Sequence, residues 1–204
     1  MSDFLQQLND DMAAIVDRVR GSLVRVHNGQ GAGAGTIWHP DGLVITNAHV
    51  IAGRHGLAVT LPNGESYAAK VLASDPERDL AALAIEASDL PTIDLGDSRQ
   101  LRPGQWVMSL GHPWGVSGAL TSGIVIATGR HLPEAPAAER EWIVAGLHLR
   151  PGHSGGPMVD SGGRLVGINT MINGPDVGFA IPVHLVKGFL RETIGTRERE
   201  AELA

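Results

Sequence analysis

Residues 151–157 read PGHSGGP and set a serine, Ser154, among Gly152, Gly155 and Gly156 with His153 beside it. A serine hydroxyl is a weak nucleophile at neutral pH. To attack a carbonyl it needs an adjacent base, a group that orients the base, and N–H donors for the developing oxyanion. Glycines suit the last requirement, because a backbone without Cβ folds tightly enough to aim several N–H groups at one point. A plain hairpin turn is the competing reading of such a motif. The second SGG, residues 161–163 in DSGGRL, is read as that, since it lies between two strand-like runs with no flanking proline. His153 is a poor base, because neighbouring side chains on a tight turn diverge. His49, in LVITNAHV, follows a short apolar strand, precedes one helical turn, and is placed to approach from across a cleft. Asp79 opens the apolar run DLAALAI and supplies a carboxylate to hold the imidazole, with Asp75 next in line. Alone, a histidine is more often structural and an aspartate more often a cap. Together, in the order His49, Asp79, Ser154, they point to acyl transfer.

The elements that must position these residues are mostly strands. Residues 3–19 repeat apolar side chains at three- and four-residue spacing (Phe4, Leu5, Leu8, Met12, Ile15, Val16, Val19), which predicts an amphipathic helix. After Gly21 the period changes. SLVRVHN, LVIT, LAVTL, SYAAKVLA, DLAALAI, QWVMSL, ALTSGIVIA, EWIVAGL, RLVGINTM and VGFAI follow at about ten-residue intervals, punctuated by HPDG, PNGE, RPG, PEAP and SGG. This pattern predicts an all-β barrel or sandwich. Pro182 then permits a second helix through VHLVKGFLRETI, before a charged tail.

Composition narrows the functions. The 204 residues carry 43% hydrophobic and 19% charged side chains, with 27 glycines and 12 prolines, enough apolar content for a packed core joined by many turns. A net charge of −6 with scattered arginines argues against nucleic acid as a partner. The absence of cysteine excludes disulfides and thiolate chemistry. No stretch has the apolar length of a membrane span, and the N-terminus MSDFLQQLNDDM has no secretory apolar run. A cytoplasmic protein is expected, or a periplasmic or secreted one if an export signal has been trimmed. GAGAG at 31–35 lacks the lysine and Ser/Thr of a P-loop, so it is read as backbone that lets neighbouring strands approach. The remaining histidines, 27, 39, 55, 112, 131 and 184, have no metal-ligand spacing, and neither a metal nor a cofactor is expected.

Five stretches in order resemble the HtrA/Deg branch of the chymotrypsin-fold serine proteases: GAGAGTIWHPDGLVITNAHVI, DLAALAI, LGHPWGVSGALTSGIVIATGR, RPGHSGGPMVD, and GRLVGINTMI with VGFAIP. The resemblance implies an all-β fold of two six-stranded antiparallel barrels flanked by an N-terminal and a C-terminal helix. Its divisions would be residues 1–20 (helix), 21–98 (first barrel), 99–182 (second barrel) and 183–204 (helix and tail). Catalytic roles follow for His49 (general base, then acid), Asp79 (orientation of the imidazole) and Ser154 (nucleophile), with the N–H groups of Gly152 and Ser154 as oxyanion donors. His153 stands where the family usually has asparagine, which makes the resting state of that loop an open question. A catalytically impaired, peptide-binding relative is the alternative.

The same resemblance implies a substrate pocket built from His148, Leu149, Ile168, Asn169, Thr170 and Met171. Such a pocket has no carboxylate for lysine or arginine, and valine, alanine or leucine would fill it. An inward His148 that accepts glutamate is the competing possibility. The implied partners are polypeptides, mainly unfolded ones, with no nucleic acid and no membrane. A homotrimer through the N-terminal segment is a further expectation. Family members commonly carry PDZ domains after the protease, and residues 191–204 leave no room for one, so either a stand-alone protease or the protease domain of a longer protein is expected.

Overall fold

The computed structural model describes residues 2–27, 31–53, 56–132, 135, 139–174 and 176–202. His55 and most of the PEAP turn lie outside the described residues. The change of period at Gly21 is a change of element. Helix α1 (Ser2–Arg20) ends there, and only its second half meets the body, through buried Val16 and Val19 with Met12 and Ile15 alongside.

Strands β1 (Leu23–His27), β2 (Ala32–His39), β3 (Leu43–Thr46), β4 (Ala58–Thr60), β5 (Ser66–Asp75) and β6 (Leu80–Ile85) close into one barrel in the order β1-β2-β3-β6-β5-β4. Strands β7 (Trp106–Gly111), β8 (Ala119–Gly129), β9 (Trp142–Gly146), β10 (Pro157–Asp160), β11 (Leu165–Asn173) and β12 (Val177–Pro182) close a second, in the order β10-β11-β12-β9-β8-β7. Every pairing between neighbouring strands is antiparallel, as expected for a sheet wound from hairpins. Closure leaves no free sheet edge. Helix α3 (Val183–Glu202) follows Pro182 directly and takes in much of the charged stretch, whose Arg, Glu and Ala are strong helix formers.

Each barrel has its own interior: Val24, Val26, Ile37, Val44 and Leu83 in the first, Val107, Val125, Ile143 and Met158 in the second. A third cluster joins them. Ile45, Leu80 and Ala82 of the first barrel pack with Met108, Leu110, Ile168 and Phe179 of the second and with Val19 and Phe189 of the two helices. Trp142 and Phe179 meet edge to face in this layer, 5.6 Å between centroids. Each such fully buried side chain contributes roughly 1.5–3 kcal/mol, so the joint between the barrels is held as firmly as either interior.

The GAGAG segment lies against the loop that carries Ser154. The Ala34 N–H donates to the Ser154 carbonyl at 2.8 Å, and a Cβ on Gly33 would come within 2.8 Å of Val50 and 3.3 Å of the Ser154 carbonyl oxygen. A Cβ on Gly35 would strike Val44 inside the barrel at 2.9 Å. Small residues are what allow the nucleophile loop of one barrel to rest on a strand of the other.

Candidate active site

His49 sits on α2 (Ala48–Ile51), a single turn that begins as β3 ends, so the helical turn contains the histidine instead of following it. Its ring is held by Asp79: Nδ1 lies 3.0 Å from Oδ1 and 2.9 Å from Oδ2, and the His49 backbone N–H donates to Oδ1 at 3.0 Å. A carboxylate only accepts, so Nδ1 carries the proton and Nε2 keeps its lone pair. Asp79 adopts a left-handed backbone, φ 56°, which aspartate tolerates better than most residues. Asn47, buried beneath, fixes that conformation by donating its side-chain amide to the Asp79 carbonyl at 3.0 Å. Burial pushes the Asp79 carboxyl up, but hydrogen bonds from the His49 ring, the Thr170 hydroxyl and the His49 backbone outweigh it, and the acid is held below its ordinary value.

Thr170 joins this pair to Ser154. Its hydroxyl donates to Asp79 Oδ2 at 2.5 Å, and its carbonyl accepts the Ser154 hydroxyl at 2.8 Å. The local cause is a bulge in β11. Asn169 pairs with Ala180 and Met171 with Phe179, so Thr170 is the extra residue, free to aim its groups toward the other barrel. His49, Asp79, Thr170 and Ser154 thus form one hydrogen-bonded chain. In this conformation the serine hydroxyl rests on the Thr170 carbonyl.

The loop ahead of Ser154 is a turn closed by the His153 N–H on the Arg150 carbonyl at 3.0 Å. Pro151 and Gly152 (φ 106°) occupy its central positions, the pattern of a type II turn. The Gly152 carbonyl is drawn back onto the His112 N–H at 2.8 Å. Among the described residues, the N–H groups of Gly152 and Ser154 have no protein acceptor, so both are available to an oxyanion. His153 is buried, 3% exposed, with its Nδ1 at 3.1 Å from both the N–H and the carbonyl of Arg150. Its ring therefore braces the loop from within. Asn169 fixes the other side, its amide bonded to Ser109, the Leu110 carbonyl and the Pro157 carbonyl.

Beside Ser154 opens a cavity of about 260 Å³, lined by Leu149, Arg150, Pro151, His153, Thr170, Met171 and Ile172. Of the residues expected in the pocket, Leu149, Thr170 and Met171 line it. Ile168 and Asn169 face inward and are fully buried elsewhere. His148 is exposed and pairs with Asp176 and Arg150. Arg150 ends the stretch 147–150 from which the resemblance builds the pocket, whereas Pro151 and Ile172 lie just outside the two implied stretches, 147–150 and 168–171. The one advance signal was an arginine four positions before the serine, in RPGHSGGP.

Four of the other described histidines have structural partners. His184 bridges Ser98 (2.8 Å) and Glu141 (2.9 Å), His27 meets Thr60 at 3.2 Å, and His39 pairs with Asp41. His112 is buried and accepts the Gly118 N–H at 3.3 Å. Among the described residues, no group of three or more potential ligands is placed to hold a metal.

Residues 33–168 match the model of the trypsin-like peptidase domain. A probable periplasmic serine endoprotease, DegP-like, from Marinomonas sp. (strain MWYL1) is 45% identical over 147 residues, covering 72% of this chain and 31% of that protein. The mitochondrial serine protease HTRA2 of Bos taurus is 39% identical over 161 residues, covering 78% and 35%. The chain thus spans about a third of the length of these curated relatives. Among solved structures, the HtrA-type protease AlgW with a decapeptide superposes with a TM-score of 0.82 at 30% identity, covering 90% of this chain and 67% of that one. The same protease with a tripeptide gives 0.79 at 35% identity, covering 85% and 60%. On these matches and this geometry, the chain belongs to the trypsin-like peptidase domain family and is similar within it to the HtrA/DegP proteases.

Proposed function

We propose that the chain is a serine endopeptidase acting on extended segments of unfolded or damaged proteins. The observation that carries this reading is the His49–Asp79–Thr170–Ser154 chain set beside two unengaged N–H groups. Ser154 Oγ attacks the scissile carbonyl carbon as its proton passes to His49 Nε2. The oxyanion is received by the N–H groups of Gly152 and Ser154, and Asp79 stabilises the imidazolium. His49 then gives the proton to the leaving amine, leaving an acyl-serine. Water, deprotonated by His49, attacks the acyl carbon, and collapse of the second tetrahedral intermediate returns the proton to Ser154. No cofactor enters this sequence. The turn at 150–153, which leaves the Gly152 and Ser154 N–H groups unengaged among the described residues, favours an enzyme over an impaired peptide-binding relative. A cleft between the two barrels admits a peptide only in extended form, so mobile or unfolded substrates are preferred. Fluorophosphonate labelling of the native protein, lost in Ser154→Ala, tests the reading, and absence of labelling from pH 5 to 9 would sink it.

Assembly into a homotrimer through α1 has its own support. Phe4, Leu5 and Leu8 are 69%, 63% and 46% exposed, and an apolar groove lined by Leu8, Met12, Ile15, Trp106 and Met108 runs beside them. Sedimentation of the full chain against one beginning at Gly21 tests this; a monomer in both overturns it. The periplasmic placement rests on the relatives named so, and fractionation of the source cells checks it.

A further inference from the structure

We propose that Arg150 makes the cavity beside Ser154 a site for an acidic side chain, so that the enzyme cleaves preferentially after glutamate. The proposal rests on the protease reading above and names its substrate class. The walls contributed by Leu149, Pro151, Met171 and Ile172 are apolar, and Arg150 is the one side chain of fixed charge among the lining residues. Of the other polar side chains, the Thr170 hydroxyl is bonded to Asp79, the Ser154 hydroxyl to the Thr170 carbonyl, and His153 Nδ1 to the Arg150 backbone, while His153 Nε2 is buried out of reach of a ligand. No lining side chain is an acid that would receive a cation, and one is a cation that would receive an anion.

The guanidinium is also held in place. Its Nη1 donates to the Leu149 carbonyl at 2.9 Å, and its Nη2 meets His148 Nε2. The opposite nitrogen of His148 is paired with Asp176 on the turn between β11 and β12. The carboxylate of that turn thus reaches the imidazole and not the arginine, and among the described residues no acid pairs with Arg150 directly. A guanidinium has five N–H donors in a planar fork, and these contacts leave others for a ligand. Arg150 is half-buried, so a carboxylate meeting it is partly withdrawn from water, where a charge-assisted pair is strongest. A side chain with two methylenes and a terminal carboxylate matches apolar walls ending at a fixed cation. His148, the acid recogniser of the competing reading, is instead the residue that steadies the arginine.

The test compares peptides differing only in the residue before the scissile bond (Glu, Asp, Gln, Val, Leu, Lys), alongside the rate of fluorophosphonate labelling, which depends on Ser154 and not on the cavity. The expected result is kcat/KM for Glu at least tenfold above Gln and Val. The Glu-to-Gln ratio should collapse toward one in Arg150→Met, and Arg150→Glu should turn the preference toward Lys. Labelling with cleavage led by Val or Leu peptides, and a Glu-to-Gln ratio unmoved by Arg150→Met, would overturn the acidic preference alone. Absence of both labelling and cleavage would overturn the protease reading and this proposal with it.

Discussion

The Thr170 hydroxyl donates to Asp79 Oδ2 at 2.5 Å across the joint between the two barrels. Asp79 is the turn residue just before β6 of the first barrel and Thr170 is the bulged residue of β11 in the second, so this bond ties the aspartate–histidine pair to the loop bearing Ser154. It adds a second donor to a carboxylate oxygen that also faces His49 Nδ1 at 2.9 Å and is largely removed from water.

Thr170→Val keeps the shape of the side chain and removes this donor. The expected outcome is a kcat lowered about tenfold with KM little changed, because the bond orients the base and does not touch substrate. Thr170→Ser should restore most of the rate. Steady-state kinetics on one peptide decides it, and a Val variant as active as the Ser variant would show that the bond is merely structural.

Asp79→Asn is expected to lower kcat by about 10⁴, since an amide lets the imidazole take the wrong tautomer and leaves the imidazolium unsupported. Ser154→Ala and His49→Ala should each lower it by several orders of magnitude while circular dichroism and melting temperature stay close to native. Near-native turnover in Asp79→Asn would transfer the role to Asp75. In the structure, however, Asp75 is engaged with the Arg78 backbone N–H at 2.9 Å.

The sequence makes the reacting groups more readable than the groups around them. PGHSGGP, NAHV and the acid at the mouth of DLAALAI are short and distinctive, because a nucleophile, a base and an orienting acid each need one residue type in one local setting. The strands could be anticipated from alternation and turn residues. The role of Thr170 could not, because a bulge is a slip of register between two strands and is not written in either strand alone. The cavity walls were misplaced for a related reason. Residues 147–153 form an irregular loop without a fixed side-chain period, so which of His148 and Arg150 enters the cavity is decided by Asp176, a partner on a distant turn.

Gly152→Ala tests the oxyanion loop. Gly152 has φ 106°, and a Cβ there would lie 2.6 Å from the His112 carbonyl oxygen and 2.9 Å from Pro113 Cα, both backbone. The turn must then change conformation, and with it the aim of the Gly152 N–H. Loss of one such donor lowers kcat by about 10²–10³. The expected variant is folded, slow in turnover and slow to react with fluorophosphonate. Native kinetics in a folded Gly152→Ala protein would remove Gly152 from the oxyanion site.

The last prediction concerns acid. His112 and His153 are both buried beneath the oxyanion loop, and their outer ring nitrogens lack side-chain partners. Burial pushes the His112 imidazole down to about 4, with Arg25 and His153 adding to the cost of charging it, and burial likewise lowers His153, with Arg150 beside it. In the unfolded chain a histidine titrates near 6.5. Below that value the unfolded state binds protons that the folded state refuses, so stability is complete above about pH 6.5 and is lost as pH falls toward 4. Asp79, held low when folded, adds a further loss only below its ordinary range near pH 4. For His112 the loss is on the order of 3 kcal/mol, equivalent to roughly 6–12 °C in melting temperature for a chain of this size. Because the His153 ring braces the turn that presents Gly152, and the His112 backbone N–H holds the Gly152 carbonyl, activity should fail together with stability, ahead of any general unfolding of the second barrel. Melting curves between pH 7.5 and 4.5 check the slope. His112→Asn, whose side-chain oxygen can still accept the Gly118 N–H, should flatten it. An unchanged slope in that variant, with His153→Asn equally without effect, would assign the acid sensitivity to other groups.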